Sequence, residues 1–259
     1  MTLTSMTGRV AVITGGGSGL GDALARLCAA SGCNVVIADV DIDRGDRVAG
    51  SINAAGGGSA LAVHTDVSNR DSVEELAKIC HARFGVCDYL FNNAGLAIHK
   101  PLVDTTEEDW NSLISVNLLG VSHGIAAFAP TMIQAENGGH IVNIASMAGL
   151  VPLEGFGIYV ATKFAVVGLS EVLAAELAPS GVSVTVACPG WVATSIQPTD
   201  PDVPQPSFPP EMSRVIAADE AARIIVDNML AKRLHVPTHP EWGDAVAKRS
   251  KALLEAFSA

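Results

Sequence analysis

The chain has 259 residues, of which 49% are apolar and 17% charged, and it carries a formal net charge of −11. So much apolar material excludes a disordered chain, which could not bury enough surface to offset its ordering entropy. Sixteen Lys plus Arg against 27 Asp plus Glu, with no basic run, exclude a nucleic-acid partner, which needs a basic stripe.

The N-terminal MTLTSMTGRV has no apolar signal core. The most apolar long stretch, Leu113 to Pro130, is interrupted by Asn117, Ser122 and His123, so no segment reads as membrane-spanning. Cys28, Cys33, Cys80, Cys87 and Cys188 form no C-x-x-C pair and sit in apolar runs, which predicts buried, reduced thiols and no metal site. His235 and His239 flank Pro237 and read as loop histidines rather than a metal pair. The expectation is a soluble cytoplasmic protein.

In chain order, Arg9–Thr14 reads as a buried strand and Gly19–Ser31 as a helix. Asn34–Asp39 is a strand, Ile42–Ala54 a helix, Ala60–His64 a strand and Ser68–Phe84 a helix with an N-cap-like opening. Tyr89–Asn92 is short and apolar, and Thr106–Ala135 is helical in two pieces. His140–Ser146 is a fifth strand, Phe156–Ala178 a helix and Ser183–Cys188 a sixth strand. Six of the 13 prolines fall between Pro198 and Pro210, so 191–216 is expected to be a substrate loop or lid. A helix near Ala217, a short strand at Leu234–Val236 and a helix over Glu241–Phe257 complete the chain. This alternation predicts an α/β fold: one Rossmann-like, doubly wound parallel sheet of about seven strands, spanning 1–259 as a single domain.

The first strand runs into Thr14-Gly15-Gly16-Gly17-Ser18-Gly19-Leu20-Gly21 and then a helix. Glycines there let the backbone approach a pyrophosphate seated on the helix N-terminus. Eighteen residues beyond Gly21, Asp39 ends the second strand, where a carboxylate can take the adenosine ribose hydroxyls and repel a 2′-phosphate. With no basic residue in the glycine loop and Val40 after the Asp, NAD is expected over NADP; Asp41 lies close enough to compete for the role. Asp66-Val67 ends the third strand, where it either meets an adenine amine or simply starts a turn.

Tyr159 and Lys163 are four apart in a helical pattern, hence on one helix face. A phenol of pKa about 10 is a poor base near neutrality, and an adjacent ammonium favours the phenolate. Thirteen residues upstream, Ser146 ends the fifth strand at the carboxyl edge, where open α/β sheets bind ligands.

Together the glycine loop, Asn92-Asn93-Ala94-Gly95, Asn117, Ser146, Tyr159-x-x-x-Lys163 and Pro189-Gly190 resemble the short-chain dehydrogenase/reductase family, from about Gly8 to Thr194. The resemblance implies that Tyr159 is the general acid/base and that Ser146 hydrogen-bonds the substrate oxygen. Lys163 would bind the nicotinamide ribose and lower the Tyr159 pKa, and Asn117 would hold a water linking Lys163 to solvent. Asn93, Ala94 and Gly95 would lie beside the adenosine, and Pro189, Gly190, Val192 and Thr194 along the nicotinamide. A homo-oligomer, dimer or tetramer, through the two long helices is also implied. The chain departs from the family's commonest form at its end, where Arg233–Pro240, with room for a seventh strand at Leu234–Val236, runs into a helix in place of the usual Asp-Gly-Gly tail, which puts the usual tetramer in doubt.

The expected activity is an NAD-dependent, metal-independent transfer of hydride to or from a secondary alcohol or ketone. A catalytically silent dinucleotide sensor and an NAD-using epimerase or dehydratase are the alternatives. Met147, Leu153, Phe156, Trp191, Phe208 and Met212 are expected to line the substrate site with few fixed charges, alongside Leu150, Val151 and Ile196. Lys100 and Arg214 are the nearby bases, and both are expected to face solvent. A neutral, lipophilic, aryl or cyclic substrate follows.

Overall fold

The structure, a computed structural model, describes residues 6–135, 138–194 and 212–257. Seven strands form one parallel sheet: β1 (Val10–Thr14), β2 (Asn34–Asp39), β3 (Ala60–His64), β4 (Tyr89–Asn92), β5 (His140–Ile144), β6 (Ser183–Cys188) and β9 (His235–Pro237), in the order β3-β2-β1-β4-β5-β6-β9. Two further strands, β7 (Trp191–Val192) and β8 (Val215–Ile216), pair in parallel on either side of the proline-rich segment. The helices are α1 (Gly19–Ala30), α2 (Ile42–Ala55), α3 (Arg70–Phe84), α4 (Glu107–Ile114), α5 (Gly120–Gln134), α6 (Gly157–Leu177), α7 (Ala218–Leu230) and α8 (Gly243–Ala256).

The period-two alternation of the strands divides the core. Ala11, Ile13, Val35 and Ile37 face one side, where they pack with Leu24, Cys28, Val48, Ile52, Ile225 and Met229 from α1, α2 and α7. Val10, Val12, Val36 and Leu90 face the other, against Leu76, Cys80, Phe128, Met132 and Leu177 from α3, α5 and α6. A sheet covered on both faces requires β-branched runs without polar interruption, which β1 and β2 supply. Truncating a fully buried side chain such as Ile13 or Leu24 should cost about 2–5 kcal/mol. All five cysteines are buried and free.

Local capping fixes where the helices begin. Asn69 accepts from the Asp71 and Ser72 amides to open α3, and Thr106 and Asp109 form a reciprocal capping box at α4. Several expectations shift. The stretch expected as two helices is continuous: α4 passes through a π-helical segment, Ser115–Leu119, directly into α5. β5 ends at Ile144 rather than Ser146, because the Ser146 hydroxyl caps a 3₁₀ turn at Met147–Gly149 by accepting from the Ala148 amide. His235 is not a loop residue: it lies in β9 and meets Glu171 at 2.8 Å. Helical stretches Glu107–Gln134 and Gly157–Ser180 are, contrary to the reading of Leu113–Pro130, long and apolar enough to cross a membrane by length and composition alone; a third or more of the apolar window of each is buried.

The strand order reverses between β1 and β4, so the loops leaving their carboxyl ends diverge and leave a crevice there. Ser146, Asp39 and the Asn93–Gly95 turn all open onto it.

Candidate active site

The crevice is a cleft of about 670 Å³. At one end, Gly15, Ser18, Gly19, Leu20 and Gly21 line it, with Asp39, Asp66 and Val67 beside them. Gly15 and Gly19 have φ of +63° and +54°, and an added Cβ on Gly15 would come within 2.9 Å of Ala94 Cα. On Gly21 it would collide with the Gly15 carbonyl. Only glycine permits this close layering. Ser18 is the α1 N-cap but makes no side-chain cap bond, so the helix presents first-turn N–H groups and its positive dipole end to the cleft. Asn93 Nδ2 donates to the Thr14 and Gly15 carbonyls, and the Thr14 hydroxyl accepts from the backbone N–H groups of Asn93 and Ala94, tying β1 to the β4 turn.

Asp39 Oδ2 accepts from the Gly17 amide and Oδ1 from the Asp41 amide, each at 2.9 Å. Gly17 thus stands behind the carboxylate rather than in the cleft lining. Asp41 resolves to a different task, capping α2 through the Arg44 amide. Arg44 itself lines the cleft, which sequence reasoning missed; its guanidinium pairs with Asp41 at 2.9 Å. Its position on the first turn of α2, five residues past Asp39, was the available signal. Asp66 Oδ1 accepts from both the Ser68 amide and hydroxyl, which is the turn-forming arrangement, while the residue still borders the cleft.

At the other end Ser146, Tyr159, Lys163, Pro189, Gly190 and Val192 border it, while Thr194 reaches back against Gly19 of the glycine loop. The Ser146 hydroxyl donates to the Pro189 carbonyl at 3.3 Å. Lys163 is 3% exposed; its Nζ donates to the Ile144 carbonyl at 2.9 Å and lies 5.5 Å from the centre of the Tyr159 ring. Burial pushes the Lys163 ammonium down to about 8. Burial also raises the Tyr159 phenol above 10.0, and hydrogen bonding with Ser146 only partly opposes this. The expected lowering of the Tyr159 pKa by Lys163 is therefore absent from the protein alone, because desolvation outweighs it and the ammonium is turned to a carbonyl.

Asn117 is fully buried in the π segment. Its Oδ1 accepts from the Leu96 amide, and its Nδ2 donates to the Leu96 carbonyl and the Thr162 hydroxyl. These partners engage both amide hydrogens and one lone pair of Oδ1, so the side chain pins the segment after Gly95 to α6, and Asn117 stands outside the cleft lining. Met147, Leu153, Phe156 and Trp191 line the apolar end of the cleft. Met212 packs nearby, with its carbonyl accepting from Trp191 Nε1, but is not part of the lining. Phe208 and Ile196 lie outside the described residues. Trp242, from the turn before α8, also lines the cleft and was not foreseen. Lys100 pairs with Asp109 and Arg214 with Glu220, and neither borders the cleft. Among the described residues no group of three or more His, Cys, Asp or Glu could hold a metal ion.

The short chain dehydrogenase family model matches residues 9–203, which brackets both ends of this cleft. The chain belongs to the short-chain dehydrogenase/reductase family. An uncharacterized oxidoreductase of Staphylococcus aureus (strain MW2) is 38% identical over 194 residues, 75% of this chain and 82% of that protein. Among solved structures, a short-chain dehydrogenase/reductase from Burkholderia phymatum in complex with NAD is 34% identical with a TM-score of 0.89, covering 97% of this chain and 96% of that one. A metagenomic short-chain oxidoreductase in complex with NADP is 32% identical with a TM-score of 0.76, covering 90% and 96%. The chain is thus an oxidoreductase of this family, whose members act on small molecules, and its structural relatives include both NAD and NADP complexes.

The glycine cradle, the first-turn amides of α1 and the Asp39 carboxylate suit a dinucleotide in size and chemistry: close backbone for a pyrophosphate and a carboxylate for ribose hydroxyls.

Proposed function

We propose that the protein is an NAD-dependent oxidoreductase that interconverts a neutral, lipophilic, aryl or cyclic secondary alcohol and its ketone, with Tyr159 as general acid/base. The observation that carries this reading is the meeting of Ser146, Tyr159 and Lys163 at one end of a cleft whose other walls there, among the described residues, include Met147, Leu153, Phe156, Trp191 and Trp242 and carry no charge. A site for a carboxylate or phosphate would aim an Arg or Lys into it, and Lys100 and Arg214 are instead engaged by acidic partners outside.

A bound oxidised nicotinamide would supply the hydride acceptor and a positive charge. Tyr159, as phenolate, takes the alcohol's hydroxyl proton; in the reverse direction it returns that proton to the carbonyl oxygen. Ser146 would turn its one hydroxyl hydrogen from the Pro189 carbonyl to the same oxygen and hold it against Tyr159. Lys163 would bind ribose hydroxyls of the cofactor, and its cation, once released from the Ile144 carbonyl, would favour the phenolate. Phe156, 6.3 Å edge-on from Tyr159 and 6.2 Å from Trp191, forms an aromatic wall that excludes water and suits a ring. Asp39 favours NAD by repelling a 2′-phosphate, and Arg44, held by Asp41, is the residue that would soften this choice.

A homo-oligomer is part of the proposal. The long helices leave Leu119, Ile133 and Val172 each more than two-fifths exposed, apolar surface that a second copy could cover. The test of function is absorbance at 340 nm with NAD and NADP in parallel across a panel of secondary alcohols. NADH accumulation with the neutral aryl alcohols supports the reading, and turnover only with NADP contradicts it.

A further inference from the structure

One peptide group joins Ser146 to the C-terminal segment. The carbonyl of the Pro189–Gly190 peptide accepts from the Ser146 hydroxyl at 3.3 Å and the Met147 amide at 2.8 Å. The N–H of that same peptide donates to His239 Nδ1 at 3.1 Å, shared with the Thr238 hydroxyl at 3.3 Å. The His239 ring lies so close to Gly190 that a Cβ there would come within 2.6 Å of it. His239 and Thr238 are 0% and 2% exposed, and the Thr238 amide is itself fastened to the Cys188 carbonyl. We infer that His239 is a positioning residue of the active site: through Nδ1 it clamps the Pro189–Gly190 peptide from behind and so fixes the oxygen against which Ser146 is set.

The Thr238 hydroxyl lies 2.7 Å from the same Nδ1 and is the second group it meets. To receive the Gly190 N–H, Nδ1 must be bare, so in the clamp the ring is neutral with its proton on Nε2. That Nε2 has no hydrogen-bond partner among the described residues, although it is buried. A buried donor left without a partner is costly, and such a cost persists where the other edge of the ring serves a function. Protonation would place a second hydrogen between Nδ1 and the Gly190 amide and break the clamp. Around the ring, Glu241 and the carbonyls of Arg214 and Trp191 favour protonation, while burial and the Arg214 charge oppose it; burial prevails and holds His239 below the usual 6.5. The clamp is therefore intact at neutral pH and opens on acidification, below the ordinary histidine range.

The inference rests on the reading of Ser146 as the group that binds the substrate oxygen. It is tested first on the wild-type protein by ¹⁵N-histidine spectroscopy at neutral pH. A His239 signal with the proton on Nε2 is expected, and a proton on Nδ1 overturns the inference, with no substrate needed. The second arm follows acetophenone reduction by NADH, a direction in which Tyr159 needs no deprotonation, between about pH 5 and pH 8. Wild type should lose rate toward acid. His239→Leu should lower kcat on the order of tenfold at neutral pH with the KM for NADH little changed, since geometry at the reacting oxygen suffers rather than cofactor binding. His239→Asn, which restores an acceptor near the Nδ1 position, should recover kcat and lose the acid limb. A Leu variant retaining more than half of kcat, or an Asn variant that keeps the acid limb, overturns the inference; should the Leu variant not fold, the Asn profile decides. Ser146→Ala separates the two readings. If it leaves kcat unchanged, the reading of the site fails; if it lowers kcat while His239→Leu does not, only the clamp fails.

Discussion

Lys163 Nζ lies 5.5 Å from the centre of the Tyr159 ring, yet its hydrogen bond runs to the Ile144 carbonyl at 2.9 Å. The two residues share a helix face, as their four-residue spacing requires, but in the protein alone the cation is parked on the end of β5 rather than on the phenol. Tyr159 is consequently poised as a weak base until charge arrives beside it.

Tyr159→Phe should therefore leave NADH affinity within about threefold of wild type while lowering turnover on the order of a hundredfold or more, because only the proton-transfer group is lost. Fluorescence titration and steady-state rates measure the two. Retention of more than a tenth of wild-type turnover would sink the assignment.

Lys163→Met removes the cation nearest the phenol. A phenolate is favoured by a neighbouring positive charge, so its loss raises the Tyr159 pKa, and the rising limb of the pH–rate profile for alcohol oxidation should move upward by about one unit or more. NADH binding should weaken at the same time. A profile superposable on wild type would show that Lys163 does not act on Tyr159.

Asp39 holds the Gly17 amide with one oxygen and the Asp41 amide with the other. We expect at least a roughly tenfold preference for NAD in kcat/KM, about 1.4 kcal/mol, narrowed by Asp39→Ala. Arg44→Ala should widen the preference further, since it removes the one base lining that end of the cleft. A wild-type protein that prefers NADP would reverse the roles given to these two residues.

Much of the frame was legible because parallel strands buried on both faces must be short β-branched runs. RVAVIT, NVVIAD and SVTVAC announce themselves, and the motif residues at their carboxyl ends fall into one cleft. What escaped depends on distance in sequence. Trp242 reaches the site from the turn before α8, and nothing local marks it. The clamp at His239 is invisible for the same reason, since it exists only where β9 lies alongside β6. Ser146 misled in the opposite direction: its apolar neighbours extend the strand pattern, but its hydroxyl turns inward to cap the next 3₁₀ turn. Asn117 was identified as a site residue, yet the π segment around it could not be read from a periodicity that changes for only five residues.

His140 offers a stability test away from the cleft. It is buried at the start of β5 against the Thr185 hydroxyl, and burial lowers its pKa to about 4. A depressed histidine stabilises the fold fully above the unfolded value near 6.5 and loses that contribution as pH falls toward 4, in all on the order of 3 kcal/mol. Urea unfolding at pH 7 and 4.5 should show this loss, and His140→Gln should reduce it. An equal pH dependence in the variant would remove His140 as a cause.

Tyr159 and the apolar walls beside it are proposed to serve the NAD-dependent oxidation of a neutral ring-bearing alcohol. This role is tested most directly by NADH formation at 340 nm from NAD with 1-phenylethanol, a sugar alcohol and an anionic hydroxy acid, for wild type and Tyr159→Phe together. The account predicts the highest kcat/KM for 1-phenylethanol and its collapse in the Phe variant. A higher value for the sugar or the hydroxy acid, or a Phe variant as active as wild type, would contradict it.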